Sequence, residues 1–326
     1  MADQMNATLF LGSFSASNTG VLAMAVTGGN KRQLTWFDRS GRVLGHPGEP
    51  AERDEMALSP DGTRLVEGRS DEQGMWTVWM LDLERGSNTR LTFDGGGGGA
   101  VWSPDGREII YSPNGSQSPD IYRKPANGAQ QGELLLHSDE TNSTMDWSRD
   151  GQFLLYSQRR KDRNFDLWYL PLTGDRKPAQ YIASPFAKTQ AKFSPDGHWV
   201  VYTSNESGTR EVYVQPFPMA AGGKWPVSSG GGGQPRWSRD GKELFYFTPS
   251  ETLMAVDVNT SGGTVQLGIP KALFHAQVLG GTGGGALNAW RWDVTPDGQR
   301  FLIDTTLDDS GSSPVTVLLN WQSPER

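Results

Sequence analysis

The chain has no cysteine. That excludes disulfides, thiolate nucleophiles and Cys-ligated zinc, and leaves the redox compartment open. Histidine is scarce. His46, His137, His198 and His275 stand apart, with no His-x-His or His-Glu-x-x-His pairing to hold zinc. No stretch reaches the apolar length of a membrane helix, so no membrane insertion is expected. No long segment carries a helical period. Positive charge is not in excess either. Lys and Arg number 30 against 37 Asp and Glu, a net charge of -7 that argues against a nucleic-acid partner. The one basic cluster, Arg159-Arg160-Lys161 with Arg163 beyond it, reads as a solvated loop. There is no Gly-x-Ser-x-Gly elbow for a nucleophile. The glycine runs Gly95–Gly99, Gly230–Gly233 and Gly280–Gly285 open no helix and carry no following Lys-Ser/Thr, so none is a phosphate cradle. Met1 to Gly12 lacks a basic n-region and a proper apolar core, so no signal peptide is expected there.

What the chain does have is a repeat. Trp102-Ser103-Pro104-Asp105-Gly106 ends one strand and turns into the next, Glu108 to Tyr111. Pro presets φ, Asp bonds to its own backbone, and Gly takes a positive φ without steric penalty. The motif returns at Leu58–Gly62, Trp147–Gly151, Phe193–Gly197, Trp237–Gly241 and Val294–Gly298, with a decayed copy at Ala16–Gly20. Its glycines are spaced by 42, 44, 45, 46, 44 and 57 residues. That is the span of one four-stranded propeller blade. Between motifs lie further strands, such as Trp76 to Leu81, Asp120 to Pro125, Asp166 to Pro171 and Glu211 to Pro216, then Thr89 to Phe93 and Glu133 to Leu136.

The hairpin with its following Asp-apolar-aromatic strand resembles the TolB-type, WD-like β-propeller repeat over nearly the whole chain. Four stretches are also similar to the propeller that follows the kinase and membrane span in many bacterial serine/threonine kinases. These are Gln33 to Gly41, Glu211 to Phe217, Arg239 to Tyr246 and Val315 to Trp321. The chain carries no kinase motif of its own. The resemblance implies a sensor-like propeller, extracytoplasmic if it belongs to a membrane kinase.

The expected fold is all-β, one propeller domain over 1–326, monomeric, with seven four-stranded blades, and six as the alternative because TolB has six. The blades would span 14–54, 55–98, 99–143, 144–189, 190–233, 234–289 and 290–322. The N-terminal strand, 1–13, would complete the last blade and close the ring, removing exposed edges. The long sixth blade contains the run at 280–285. All three glycine runs precede an inner strand and should ring one mouth of the channel, as flexible connections or as an open entrance.

The first strand of each blade lines the axis, and side chains alternate along it. The residue before each motif aromatic or aliphatic is Ser15, Ala57, Val101, Asp146, Lys192, Arg236 or Asp293. Two residues back stand Ser13, Glu55, Gly99, Thr144, Gln190, Gln234 and Arg291. The residues between are mostly apolar and read as core. Charges on an inner strand must be paired or wet. Asp146, Lys192, Arg236 and Asp293 could neutralise one another across the channel. They could instead join Glu55, Thr144, Gln190, Gln234 and Arg291 in binding a small polar ligand. Oxygen donors prevail, so a metal held by Glu55, Asp146 and Asp293 would be calcium or magnesium. The motif aspartates, Asp105 and Asp196 among them, read as turn formers. Three functions stay open: a non-enzymatic ligand-binding or sensor module at the channel mouth, a calcium-dependent hydrolase of esters, lactones or phosphotriesters with its site in the channel, and a platform for a protein partner.

Overall fold

The computed structural model describes residues 14–16, 22–25, 31–71, 74–93, 97–113, 118–162, 164–218, 223–278, 289–307 and 315–318. It is all-β and propeller-like. Among the described residues the one helical turn is Ser261–Gly263. No helix among them is long and apolar enough to cross a membrane.

The sheets follow the repeat. Sheet A orders Arg53–Leu58, Arg64–Ser70, Trp76–Asp82 and Asn88–Arg90 outward from the axis. Sheets B and C are continuous through one long strand, Glu133–Trp147. Its first half pairs with Ser118–Pro125 as the outer strand of B, beyond Gly98–Trp102 and Glu108–Ser112. Its second half pairs with Phe153–Arg159 as the inner strand of C, followed by Phe165–Pro171 and Ala179–Ile182. Sheet D is Lys188–Phe193, Trp199–Ser204, Glu211–Pro216 and Trp225–Pro226. Sheet E is Gly233–Trp237, Glu243–Phe247 and Thr252–Asn259, whose outer edge takes both Gln266–Leu267 and Lys271–His275.

Closure differs from the sequence expectation. Sheet F joins Trp292–Val294 and Arg300–Thr306 to Arg32–Asp38 and Val43–Gly45. The strand beside Arg300–Thr306 is therefore Arg32–Asp38, in continuous register from Arg300↔Asp38 to Thr306↔Arg32. The expected neighbour, the strand from Val315, pairs instead with Leu22–Ala25, and the expected outer strand, 1–13, lies outside the described residues. The span 14–54 does not form a sheet of its own. Its first pair, Phe14–Ala16 and Leu22–Ala25, instead makes a side sheet with Val315–Leu318. The reason lies in the side chains. Leu34 and Phe37 are buried, Phe37 stacks on Phe274 at 5.3 Å, and Arg32 meets Asp304 at 2.6 Å. Strand 32–38 thus brings both an apolar face and a matched charge to the last sheet.

The motif turns are built as their residues dictate. Ser103 Oγ donates to Asp105 Oδ1 at 2.7 Å, and that oxygen also accepts the Arg107 amide at 3.0 Å. Gly106 sits at φ +69°, where its amide closes the turn on Ser103 O. The same Ser/Thr–Asp bond recurs at Ser148–Asp150, Ser238–Asp240 and Thr295–Asp297. Hydroxyl donation holds the carboxyls of Asp105, Asp240 and Asp297 below their ordinary range. Between sheets, aromatic rings form the cement. Phe217 receives Phe153, Tyr169, Tyr181 and Phe193 edge-on at 4.9 to 5.5 Å, joining C to D.

Candidate functional site: a charged funnel at the turn side of the axis

Six inner strands converge so that Ala57, Val101, Asp146, Lys192, Arg236 and Asp293 line one funnel of about 370 Å³. These are the positions the alternation argument picked out. The exception is Ser15, which lies in the side sheet. The funnel opens among the motif turns, for its rim includes Pro60, Pro104, Pro195 and Pro296. The described glycines Gly97–Gly99 and Gly230–Gly233 lead into inner strands and so stand at the other end. Gly230–Gly233 is described there, and much of the other two runs lies outside the described residues.

The second set of predicted residues does not share this face. Every inner strand from sheets A, C, D and E carries a register shift with one extra residue, for example between Thr189 and Lys192 and between Gly233 and Arg236. Such a bulge breaks the two-residue alternation and re-aims the side chains before it. Gln190 and Gln234 sit in it at φ +52° and +54°, a conformation that costs a non-glycine residue about 1 kcal/mol. Their side chains hold the strain in place by tying neighbouring sheets together. Gln190 Oε1 accepts Thr203 Oγ1 at 3.1 Å and the Gln234 amide at 2.8 Å, while its Nε2 donates to Ala289 O at 3.1 Å. Gln234 Oε1 accepts the Arg291 amide at 2.7 Å. Thr144 Oγ1 donates to Gly99 O, joining C to B. Gly99 has φ +50° and a Cβ there would stand 2.9 Å from Glu55 Oε2, so the close approach requires glycine. Arg291 donates to Arg53 O and meets Asp54 at 3.3 Å.

In the funnel the four charged inner-strand residues pair around the ring. Lys192 Nζ donates to Met145 O at 2.6 Å and to Asp146 Oδ1 at 3.3 Å, and Asp146 Oδ2 accepts the Phe193 amide at 2.9 Å. Arg236 donates from Nη2 to Trp292 O at 3.1 Å, and its Nε faces Asp293 Oδ1 at 3.5 Å. Asp293 accepts the Leu58 and Val294 amides, both at 2.9 Å. Both cations lie over the buried Trp290 ring, at 4.4 and 5.2 Å. Burial lowers the Lys192 ammonium, against the opposing pull of Asp146. Glu55 makes no hydrogen bond or ion pair among the described residues. Burial, then the nearby Asp54 charge, pushes its carboxyl well above the usual range.

The three carboxylates considered for an ion are not gathered. Asp146 and Asp293 each serve a cation and backbone amides, and Glu55 stands apart from the funnel lining. Among the described residues no three His, Cys, Asp or Glu side chains form a metal nest.

Sequence reasoning missed two residues at the mouth, Arg149 and Arg239. Arg149 Nη1 donates to Arg239 O at 2.8 Å, and Arg239 Nη1 to Pro60 O at 2.6 Å. The signal was present: these are the two motif copies that read Ser-Arg-Asp-Gly where the other clean copies read Pro.

No known protein-family profile matches the chain. It is 26% identical over 200 residues, 58% of its length and 67% of the relative's, to the uncharacterised protein Atu1656 of Agrobacterium fabrum. Among solved structures it is similar to a TolB-type protein from Agrobacterium tumefaciens, with TM-score 0.62 and 18% identity over 84% of this chain and 98% of that one. It is also similar to TolB from Acinetobacter baumannii, with TM-score 0.55 and 14% identity over 76% and 65%. The fold is that of the TolB-type β-propellers.

Proposed function

We propose that this chain is a six-bladed propeller that binds a small polar ligand in the turn-side funnel, without turning it over. The observation that carries the reading is the convergence of six equivalent inner-strand positions on one open, charged funnel of about 370 Å³. Sheets A to F supply one position each, which is why six blades account for the ring better than seven. The funnel is concave, mixed in polarity and large enough for a ligand well below drug size. Its hydroxyls do not offer a free nucleophile. Ser59, Ser103 and Thr295 donate to the motif aspartates Asp61, Asp105 and Asp297. Fold alone does not decide function, so the reading rests on the site.

The test is ligand retention. The purified chain is equilibrated with a metabolite mixture, washed, and its bound small molecules read by mass spectrometry. The same is done for Ala57→Phe, whose ring stands in the funnel, after its fold is checked by circular dichroism. Retention that falls at least tenfold in the variant supports the funnel. Equal retention by both chains, or none by either, overturns it.

A further inference from the structure

We propose that the funnel selects an oxyanion, a small carboxylic acid or phosphate, which Arg149 and Arg239 capture at the mouth and Arg236 holds within. This deepens the ligand-binding reading and rests on it.

Charge count is the first argument. Arg149, Arg239, Lys192 and Arg236 line the funnel against only Asp146 and Asp293, an excess of two positive charges. The chain as a whole is at -7. A positive concavity in a negative body focuses field lines into itself and concentrates anions there.

Spare bonding capacity is the second. The two carboxylates are consumed, since each accepts backbone amides and faces its cation. The cations are not. Arg236 is 6% exposed; its Nη2 donates to Met56 O and Trp292 O and its Nε faces Asp293, which leaves Nη1 without a hydrogen bond among the described residues. Arg149 and Arg239 are exposed at the mouth, and each uses one Nη for a backbone carbonyl. A guanidinium presents five donors in a planar fork that fits a carboxylate or phosphate with two parallel bonds. Arg149 and Arg239 therefore retain donors, and the carbonyls they touch fix their direction. Burial and then the neighbouring Arg239 charge lower Arg149, with the Asp146 charge opposing them. An oxyanion between them relieves that repulsion.

The repeat supplies a clean control. The other clean motifs carry Pro at this turn position, and among the described residues the amides of Arg149 and Arg239 make no hydrogen bond. Arg149→Pro with Arg239→Pro should therefore fold while removing both mouth cations. Isothermal titration calorimetry would use citrate, succinate, inorganic phosphate, glucose and putrescine, at 20 mM and 500 mM NaCl. The expected result is binding of at least one anion, weakened at least tenfold by the double Pro variant and again by salt, with no heat from glucose or putrescine. Tighter succinate or citrate would name a carboxylic acid, and tighter phosphate a phosphoryl group. Arg149→Gln with Arg239→Gln gives a second test should the Pro pair unfold. Glucose or putrescine binding in an Ala57→Phe-sensitive way, with no anion bound, would overturn the charge selection while leaving the funnel a binding site. Anion binding unchanged by either double variant would overturn the assignment to these arginines. Silence from every probe would overturn the anion selection, and the metabolite retention then judges the binding reading separately.

Discussion

The two ends of the inner strands carry the same kinds of residue and put them to different use. At the glycine-run end, Gln190, Gln234, Thr144 and Arg291 spend their polar groups on neighbouring sheets. Beside them a buried ionic network crosses the closure. Arg53 meets Glu67 at 2.6 Å and Asp304 at 3.7 Å, Arg32 meets Asp304 at 2.6 Å, and Arg69 meets Glu67 at 2.6 Å. Sheet A is thereby tied to sheet F, the seam where the chain's two halves meet. At the turn end, Arg149, Arg239 and Arg236 keep donors unspent. Residue type alone does not separate a tie from a binding group. On the proposed reading, the number of bonds left over does.

The comparison breaks most visibly at the seam. Arg53→Met removes the Glu67 ion pair and hydrogen bonds to Arg32 O and Glu49 O, both at 2.7 Å, and leaves part of a buried carboxylate charge uncompensated. The expected loss is ~3–5 kcal/mol in chemical denaturation. Anion titrations on the fraction that folds should be unchanged, because the funnel lining does not include this residue.

A smaller break is Gln234→Ala. It orphans the Arg291 amide and a buried corner of sheets E and F, at roughly 1–3 kcal/mol by the same measurement. Were Gln234 a ligand group instead, the variant would lose affinity at near-constant stability, and the division between the two ends would fail.

The smallest effect sharpens the picture at Glu55, the one axial carboxyl left without a partner among the described residues. Its raised pKa means that folding disfavours the charged form. That penalty is absent below the ordinary titration near 4.3, where both states are protonated, and grows as pH rises through it. Glu55→Gln should therefore raise the melting temperature by roughly 1–3 °C at pH 7 and leave it unchanged near pH 4. A lower melting temperature at pH 7 would mean that the charge is satisfied in the fold.

Much of this was legible in the residues. Strands such as Glu211–Pro216 and Phe165–Pro171 fall within a residue or so of their expected bounds, because alternation and turn chemistry are local. The six axial positions that converge on the funnel were also readable, since each sits one residue before a motif that sets its own register. The second axial row was not. Bulges insert one residue where the strand meets its neighbours, and no local pattern announced them. Glu133–Trp147 likewise runs unbroken from one sheet into the next, although its first four residues read as a strand with an end.

By itself, then, the sequence determined the repeat, the all-β character, the turns and the charged face of each inner strand. Each follows from interactions within a few residues: proline and glycine dihedrals, the Ser–Asp bond, and alternating polarity. Tertiary structure alone decided which strands close the ring and which partners the charges find. Arg32 finds Asp304 across 272 positions of sequence, and Arg149 reaches Arg239 across 90. Such partners are chosen by where the curved array returns to itself, and only the assembled ring fixes that distance.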